Sequence, residues 1–273
     1  MELFPGMNGL LDYSTYIFDL DGCVYFGPEP AQGASGLISL LSGLGKRVLF
    51  LSNNSTHSPH EVVQKLQSMD IHVLASDIHL ASTLLARYLH ETHGSLRLAV
   101  AGEKFLHKEM ARFDHTVVPL DDTSADCLVM GRYLSFTFDC LVECVRQLES
   151  GGHFYVTNLD THHPGPEGAR QPETGALAAA VSAVTGKTPF SVGKPFPYAF
   201  TSLLNDLALD SRDCLMIGDS LNTDVQGAGN AGLDTCWLNP GGASETPSDQ
   251  PNSPTFTFPG LAEVLATVQQ EVR

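Results

Sequence analysis

Positive charge is scarce in this chain. Its 273 residues carry 15 Lys+Arg against 31 Asp+Glu, a formal net charge of −16 with His neutral. That balance argues against DNA or RNA as the main partner, because holding a phosphate backbone needs a basic surface. It argues equally against an anionic membrane face. Long apolar runs are missing too. The longest stretch free of Asp, Glu, Lys and Arg covers 30–45. It is rich in Gly and Ser and shorter than the roughly 20 residues that cross a bilayer. The first basic residue is Lys46, so no positively charged start of a secretory signal is present. The six cysteines, Cys23, Cys127, Cys140, Cys144, Cys214 and Cys236, form no CxxC pair and have mostly apolar neighbours. They read as reduced core thiols of a cytoplasmic protein, with Cys140 and Cys144 on one helix face. No HxxxH pair occurs among the 11 His, so a zinc pair on one helix face is not expected.

What is present is enough apolar material for a sizeable core. Hydrophobic residues make up 42% and charged residues 17%, which excludes wholesale disorder. At roughly 150 residues per domain the length suggests two domains. Short apolar runs at 14–19, 47–52, 96–101, 125–131, 153–158, 190–193, 213–218 and 235–238 alternate with helix-like segments. The helical segments are 32–44, 59–69, 78–92, 103–112, 137–149, 173–185, 197–208, 223–232 and 260–270. Strands alternating with helices at this spacing predict an α/β fold, a doubly wound parallel sheet covered by helices on both faces. The middle of the chain carries strands and helices of its own and reads as an inserted domain. The stretch 240–259, rich in Pro, Ser and Thr, reads as a surface loop.

Position gives the most information. Strand 14–18 ends in Asp19, followed by Asp21; strand 47–51 ends in Ser52-Asn53-Asn54; run 190–193 ends in Lys194; strand 213–218 ends in Asp219, with Asp224 close behind. Open parallel sheets bind ligands outside the carboxyl ends of their strands. Those ends would gather carboxylates, a hydroxyl, amides and an ammonium at one edge. Carboxylates crowded together repel unless a cation lies among them, and hard oxygen donors select Mg²⁺. A Lys and a Ser at the same edge suit phosphate oxygens. Asp19 and Asp21 are two apart, so in extended chain both side chains point the same way.

The segment Phe18-Asp19-Leu20-Asp21-Gly22-Cys23-Val24-Tyr25 resembles the DxDG nucleophile motif of the haloacid dehalogenase superfamily. Leu51-Ser52-Asn53-Asn54, Val192-Gly193-Lys194-Pro195 and Ile217-Gly218-Asp219-Ser220-Leu221-Asn222-Thr223-Asp224 are similar to its second, third and fourth motifs, in order. The paired Asn53-Asn54, the run from Tyr155 to Asp160 and the segment from Glu173 resemble the NagD-like, p-nitrophenyl-phosphatase branch.

The resemblance implies a Rossmann-like core from 1–77 and 188–273, with an inserted α/β cap over 78–187 that reads the substrate. It implies that Asp19 is the nucleophile, forming an aspartyl-phosphate, and that Asp21 is the acid and base. It implies Mg²⁺ held by Asp19, Asp21 (through its backbone carbonyl) and Asp219, with Asp224 orienting from the outer shell. Ser52, Asn53, Asn54 and Lys194 would hold the phosphate. His163, in the cap loop 157–165, would contact the substrate. The expected activity is hydrolysis of a small phosphorylated metabolite: a sugar phosphate, nucleoside monophosphate, phosphoglycolate or pyridoxal phosphate. A homodimer through the cap would fit this branch. A phosphotransferase or mutase on the same core, or a non-catalytic ligand-binding protein that kept the fold, are the competing readings.

Overall fold

The computed structural model describes residues 9–164, 169–241 and 253–273. They fall into two compact units. The first comprises Met1–Leu51, Val63–Ile78 and Phe200–Arg273; the second comprises Ser52–Val62 and His79–Ala199.

The first unit is built on strands whose sequences are nearly continuous apolar runs, as strands covered on both faces require. Thr15–Phe18 and Cys214–Gly218 are buried throughout, and Arg47–Ser52 is buried except at Arg47. The sheet order is Phe256–Phe258, Asp234–Leu238, Cys214–Gly218, Thr15–Phe18, Arg47–Ser52, Ile78–Leu80. Thr15 stands opposite both Cys214 and Arg47, in parallel register on each side. Helix Ala34–Gly43 buries Ala34, Leu37, Ile38 and Leu41, one stripe at the helical period. Burying each of those leucines contributes about 1.5–3 kcal/mol. Helix Leu261–Glu271 buries Leu261, Val264 and Val268 by the same spacing. From Thr15–Phe18 the chain winds outward to Arg47–Ser52 on one side and later to Cys214–Gly218 on the other. The reversal of strand order therefore falls between Thr15–Phe18 and Cys214–Gly218, where open α/β sheets form their ligand crevice.

The second unit has its own parallel sheet, ordered Phe190–Ser191, His153–Val156, Cys127–Met130, Arg97–Ala101, Thr116–Val118. Its core joins Leu128, Met130 and Val156 of the sheet to Cys144 and Leu148 of helix Phe138–Glu149 and Val181 of helix Thr174–Thr185. Thr137 caps the former helix, its Oγ1 accepting from Cys140 N at 3.3 Å. Gly186 closes the latter in the left-handed conformation.

The expected fold class is present: parallel sheets flanked by helices, in both units. Several details differ. The stretches 52–62 and 188–199, assigned from sequence to the outer segments, group with the second unit. Phe256–Phe258 is an edge strand inside the stretch read as loop; the rest of that reading, over 242–252, lies outside the described residues. Strands as short as Thr116–Val118 and the hairpin His162–Pro164 with Arg170–Pro172 are too brief for an alternation signal. All six cysteines are free. Burial pushes the thiols of Cys127 and Cys144 up to about 12 and that of Cys214 to about 11. Cys140 is only half-buried, unlike the core position expected for it.

His115 links the second unit's fold to pH. It is 4% exposed. Its Nδ1 accepts from Leu96 N at 3.2 Å and its Nε2 faces Ala86 O at 3.0 Å, so the neutral tautomer with the proton on Nε2 satisfies both partners. Burial holds its pKa below the usual value. Below the ordinary imidazole pKa the unfolded chain therefore binds a proton that the folded chain resists. Stability is present above that pH and falls as acid is added. Between pH 7.5 and pH 5 the thermal midpoint of the wild type should fall further than that of His115→Gln. Parallel pH curves in a thermal melt would show that His115 does not titrate with unfolding.

Candidate active site

The four residues of the first unit proposed from sequence lie together at the strand reversal. Asp19 follows the last residue of Thr15–Phe18, and its N–H donates to Ile217 O at 2.9 Å, which ties it to the neighbouring strand. Asp219 follows Cys214–Gly218, and Asp224 lies in the wide helical turn Leu221–Val225. Carboxylate oxygens of Asp19, Asp219 and Asp224 all lie within 4.8 Å of one another. Asp19 and Asp224 are buried and Asp219 is partly exposed. Asp224 Oδ2 accepts from Ser220 N at 3.1 Å, which holds the loop against its own carboxylate. Trp237 Nε1 donates to Asp219 O at 2.9 Å.

Gly22 explains how the chain turns beside this cluster. Its φ is +94°, and a Cβ there would stand 2.5 Å from Asp219 Oδ2. Only glycine fits both demands. Cys23, beside it, is buried, with its thiol donating to Ile217 O at 3.5 Å.

Asp21 sits in a tight backbone turn. Leu20 O accepts from Val24 N at 2.9 Å and Tyr25 N at 3.2 Å, while Gly22 N donates to Tyr25 O at 2.9 Å. The turn brings Tyr25 back to Asp21, where the phenol donates to Asp21 Oδ2 at 3.1 Å. Lys65 Nζ stands 3.4 Å from the centroid of the Tyr25 ring. Burial, then the Asp21 charge, pushes the phenol's pKa up. Burial pulls the Lys65 ammonium down, opposed by the Asp21 carboxylate.

The second unit holds Ser52, Asn53, Asn54, His163 and Lys194. Ser52 and Lys194 are buried, at 4% and 3% exposure. Ser52 Oγ accepts from Asn54 N at 3.2 Å. Asn54 Oδ1 accepts from Thr56 N and His57 N, each at 3.0 Å, so this side chain shapes its own loop. Asn53 is a clasp. Its Nδ2 donates to Asp160 Oδ2 at 2.8 Å and Lys194 O at 3.0 Å, and its Oδ1 accepts from Lys194 N at 2.9 Å. Asn158 Nδ2 donates to Asn53 O at 2.9 Å. His163 Nδ1 pairs with Glu173 Oε1 at 2.8 Å, and Arg132 Nη1 approaches the same oxygen at 3.4 Å. Glu173 also caps helix Thr174–Thr185.

Sequence reasoning missed Tyr25 and Lys65 as part of the site. Tyr25 carried a signal, four residues after Asp21 across a glycine turn; Lys65 carried none. Asn158 and Asp160 lie in the loop read as substrate-contacting, yet they bond to Asn53. Pro164 is described only in its backbone, and Gly165 lies outside the described residues.

Three carboxylates this close are costly unless a cation neutralises them. The donor set is all oxygen, which suits a hard divalent ion such as Mg²⁺.

Residues 16–116 match the family model of haloacid dehalogenase-like hydrolases, and residues 191–264 match a second, HAD-hydrolase-like model. The chain is 30% identical over 260 residues to an acid sugar phosphatase of Staphylococcus saprophyticus, covering 95% of this chain and 99% of that one. Among solved structures it resembles the 4-nitrophenylphosphatase of Thermotoga maritima, with a TM-score of 0.83, 26% identity, and 93% and 97% of the two chains covered. It resembles NagD of E. coli K-12 with a TM-score of 0.81, 25% identity, and 93% and 98% covered.

The carboxylate cluster is testable through Gly22. Gly22→Ala should weaken Mg²⁺ binding by about 10–100-fold in calorimetry, the loss typical when groups that orient metal ligands are disturbed. Gly27→Ala is the control: its φ is +58° but nothing lies within 4 Å of its Cβ. Equal affinity in the two variants would show that the approach of Gly22 to Asp219 does not matter to the cation.

Proposed function

The chain belongs to the haloacid dehalogenase-like hydrolases, in the NagD-like branch, and is a phosphatase; from that premise we propose that it is a Mg²⁺-dependent hydrolase of small phosphomonoesters, sugar phosphates first among them. The observation that carries this reading is the cluster of Asp19, Asp219 and Asp224 at the point where the sheet reverses its strand order. Sugar phosphates come first because curated relatives at this similarity are named acid sugar phosphatases.

The residues divide the work as follows. A carboxylate oxygen of Asp19 attacks phosphorus, and the bond from phosphorus to the leaving oxygen breaks. Asp21 gives its proton to that oxygen, so the alcohol departs neutral. Water then attacks phosphorus, Asp21 takes the proton from it, and the bond to Asp19 breaks to release phosphate. Asp19, Asp219 and the backbone carbonyl of Asp21 would hold Mg²⁺, which when bound would supply positive charge against the carboxylates and the phosphoryl oxygens. Asp224 orients that site. Ser52 and Lys194 are assigned to the phosphoryl oxygens, Ser52 for direction and Lys194 for charge. Asn53 acts indirectly, by fixing the backbone on both sides of Lys194 N. Asn54 is assigned to the same loop.

Choice of leaving group is assigned to the inserted residues 78–187 as the cap, where His163, paired with Glu173, is assigned to the substrate. The work is on metabolites of the cytoplasm, in keeping with free thiols held protonated by burial. Among the described residues no helix is long and apolar enough to cross a membrane.

Phosphate release from a panel of sugar phosphates, nucleoside monophosphates, phosphoglycolate and p-nitrophenyl phosphate tests this. Release should require Mg²⁺, stop with EDTA, and fall at least about a thousandfold in Asp19→Asn. No release from any ester would overturn the phosphatase reading, and release that survives Asp19→Asn would remove the covalent route.

A further inference from the structure

We propose that Tyr25 and Lys65 form a positioning pair for Asp21, with the Tyr25 phenol holding Oδ2 so that Oδ1 is left to meet the leaving-group oxygen. The proposal rests on the phosphatase reading above and deepens it.

A carboxyl group on a short side chain rotates about two bonds, and a proton can reside on either oxygen. For transfer to a leaving oxygen, one orientation must dominate. The structure supplies the restraint on one side. Tyr25 is 2% exposed, so its ring has no freedom to swing away. Its backbone is tied to the Asp21 turn through Gly22 N to Tyr25 O and Tyr25 N to Leu20 O. Its hydroxyl hydrogen is committed to Asp21 Oδ2 at 3.1 Å. An oxygen that accepts this bond is the poorer place for the acid's proton, which leaves Oδ1 as the donor.

Lys65 strengthens the restraint. Its ammonium lies over the ring face at 3.4 Å from the centroid. A cation there draws π density away from the ring and makes the O–H a better donor. A tyrosine phenol keeps its proton near neutral pH, so it is a donor there. Among the described residues the lysine's contact with the site is the Tyr25 ring, and its charge also reaches the Asp21 carboxylate.

The leaving group distinguishes positioning from plain packing. Expulsion of an alkoxide needs the proton from Asp21, whereas p-nitrophenolate leaves without one near neutral pH. The value of kcat/KM reports the steps up to cleavage of the ester. It would be measured for glycerol 2-phosphate and p-nitrophenyl phosphate with wild type, Tyr25→Phe, Lys65→Met, Lys65→Arg and Asp21→Asn. Tyr25→Phe should lose about tenfold on the alkyl ester, as expected for a hydrogen bond to a charged group. Its loss on the aryl ester should be under about twofold. Lys65→Met should lose about threefold in the same sense, and Lys65→Arg should restore most of it, since the guanidinium keeps the cation over the ring. Equal losses on the two esters in Tyr25→Phe, or none, would overturn the pair. If Tyr25→Phe fails to fold, Lys65→Met carries the test, and the absence of any leaving-group preference in it overturns the pair. Wild type that turns over neither ester, or Asp21→Asn that does not discriminate between them, would instead overturn the reading of Asp21 as the acid.

Discussion

Mutual repulsion among carboxylates is the constraint on which the first unit is organised. Asp19, Asp219 and Asp224 would separate if the chain let them. They are held together by ordinary backbone structure: a parallel register that places Thr15 opposite Cys214, a glycine turn too tight for any side chain, and a Ser220 N–H that occupies Asp224. The sheet supplies the rigidity because its strands are buried on both faces and cannot slide without exposing apolar surface. Oxygen donors held this way suit a divalent cation, which would offset the negative charge they concentrate.

The second unit solves a different problem, that of joining loops. Asn53 joins two segments: its side-chain amide meets Lys194 at both its N–H and its carbonyl and Asp160 at its carboxylate, while its backbone carbonyl accepts from Asn158 Nδ2. An amide does this because it carries donors and an acceptor in one plane. Aspartate would keep the acceptor but set a charge against Asp160, and leucine would leave the Lys194 amide without its partner. The sequence reading gave Asn53 to the phosphate directly. Its side-chain bonds also make it a support for Lys194, a role no pattern along the chain announces.

How much was legible follows from distance along the chain. Asp19, Ser52 and Asp219 were the easier to propose because each stands at the end of an apolar strand of one parallel sheet, with Asp21 and Asp224 close behind; Lys194 follows Phe190–Ser191, a strand of the other sheet, which the pattern along the chain did not distinguish. Tyr25 was half-readable, inside a recognisable turn but without a stated task. Lys65 was not readable, since only the three-dimensional return of helix Pro59–Gln67 sets its amine over Tyr25. The edge strand Phe256–Phe258 and the hairpin at His162 were missed for another reason. Three residues give too few alternations to separate a strand from a loop.

The order of strands in the first sheet also fixes when the site can exist. Asp19 follows a strand with two partners, one beginning at Arg47 and the other only at Cys214. During translation Asp19 therefore waits long for the second. Pairing across so long a separation makes the sheet a late event in folding. Asp219 and Asp224 arrive only with that pairing. A chain that stops short of Asp224 thus carries Asp19 without the two carboxylates that crowd it, and the cluster is assembled only once that segment has been made.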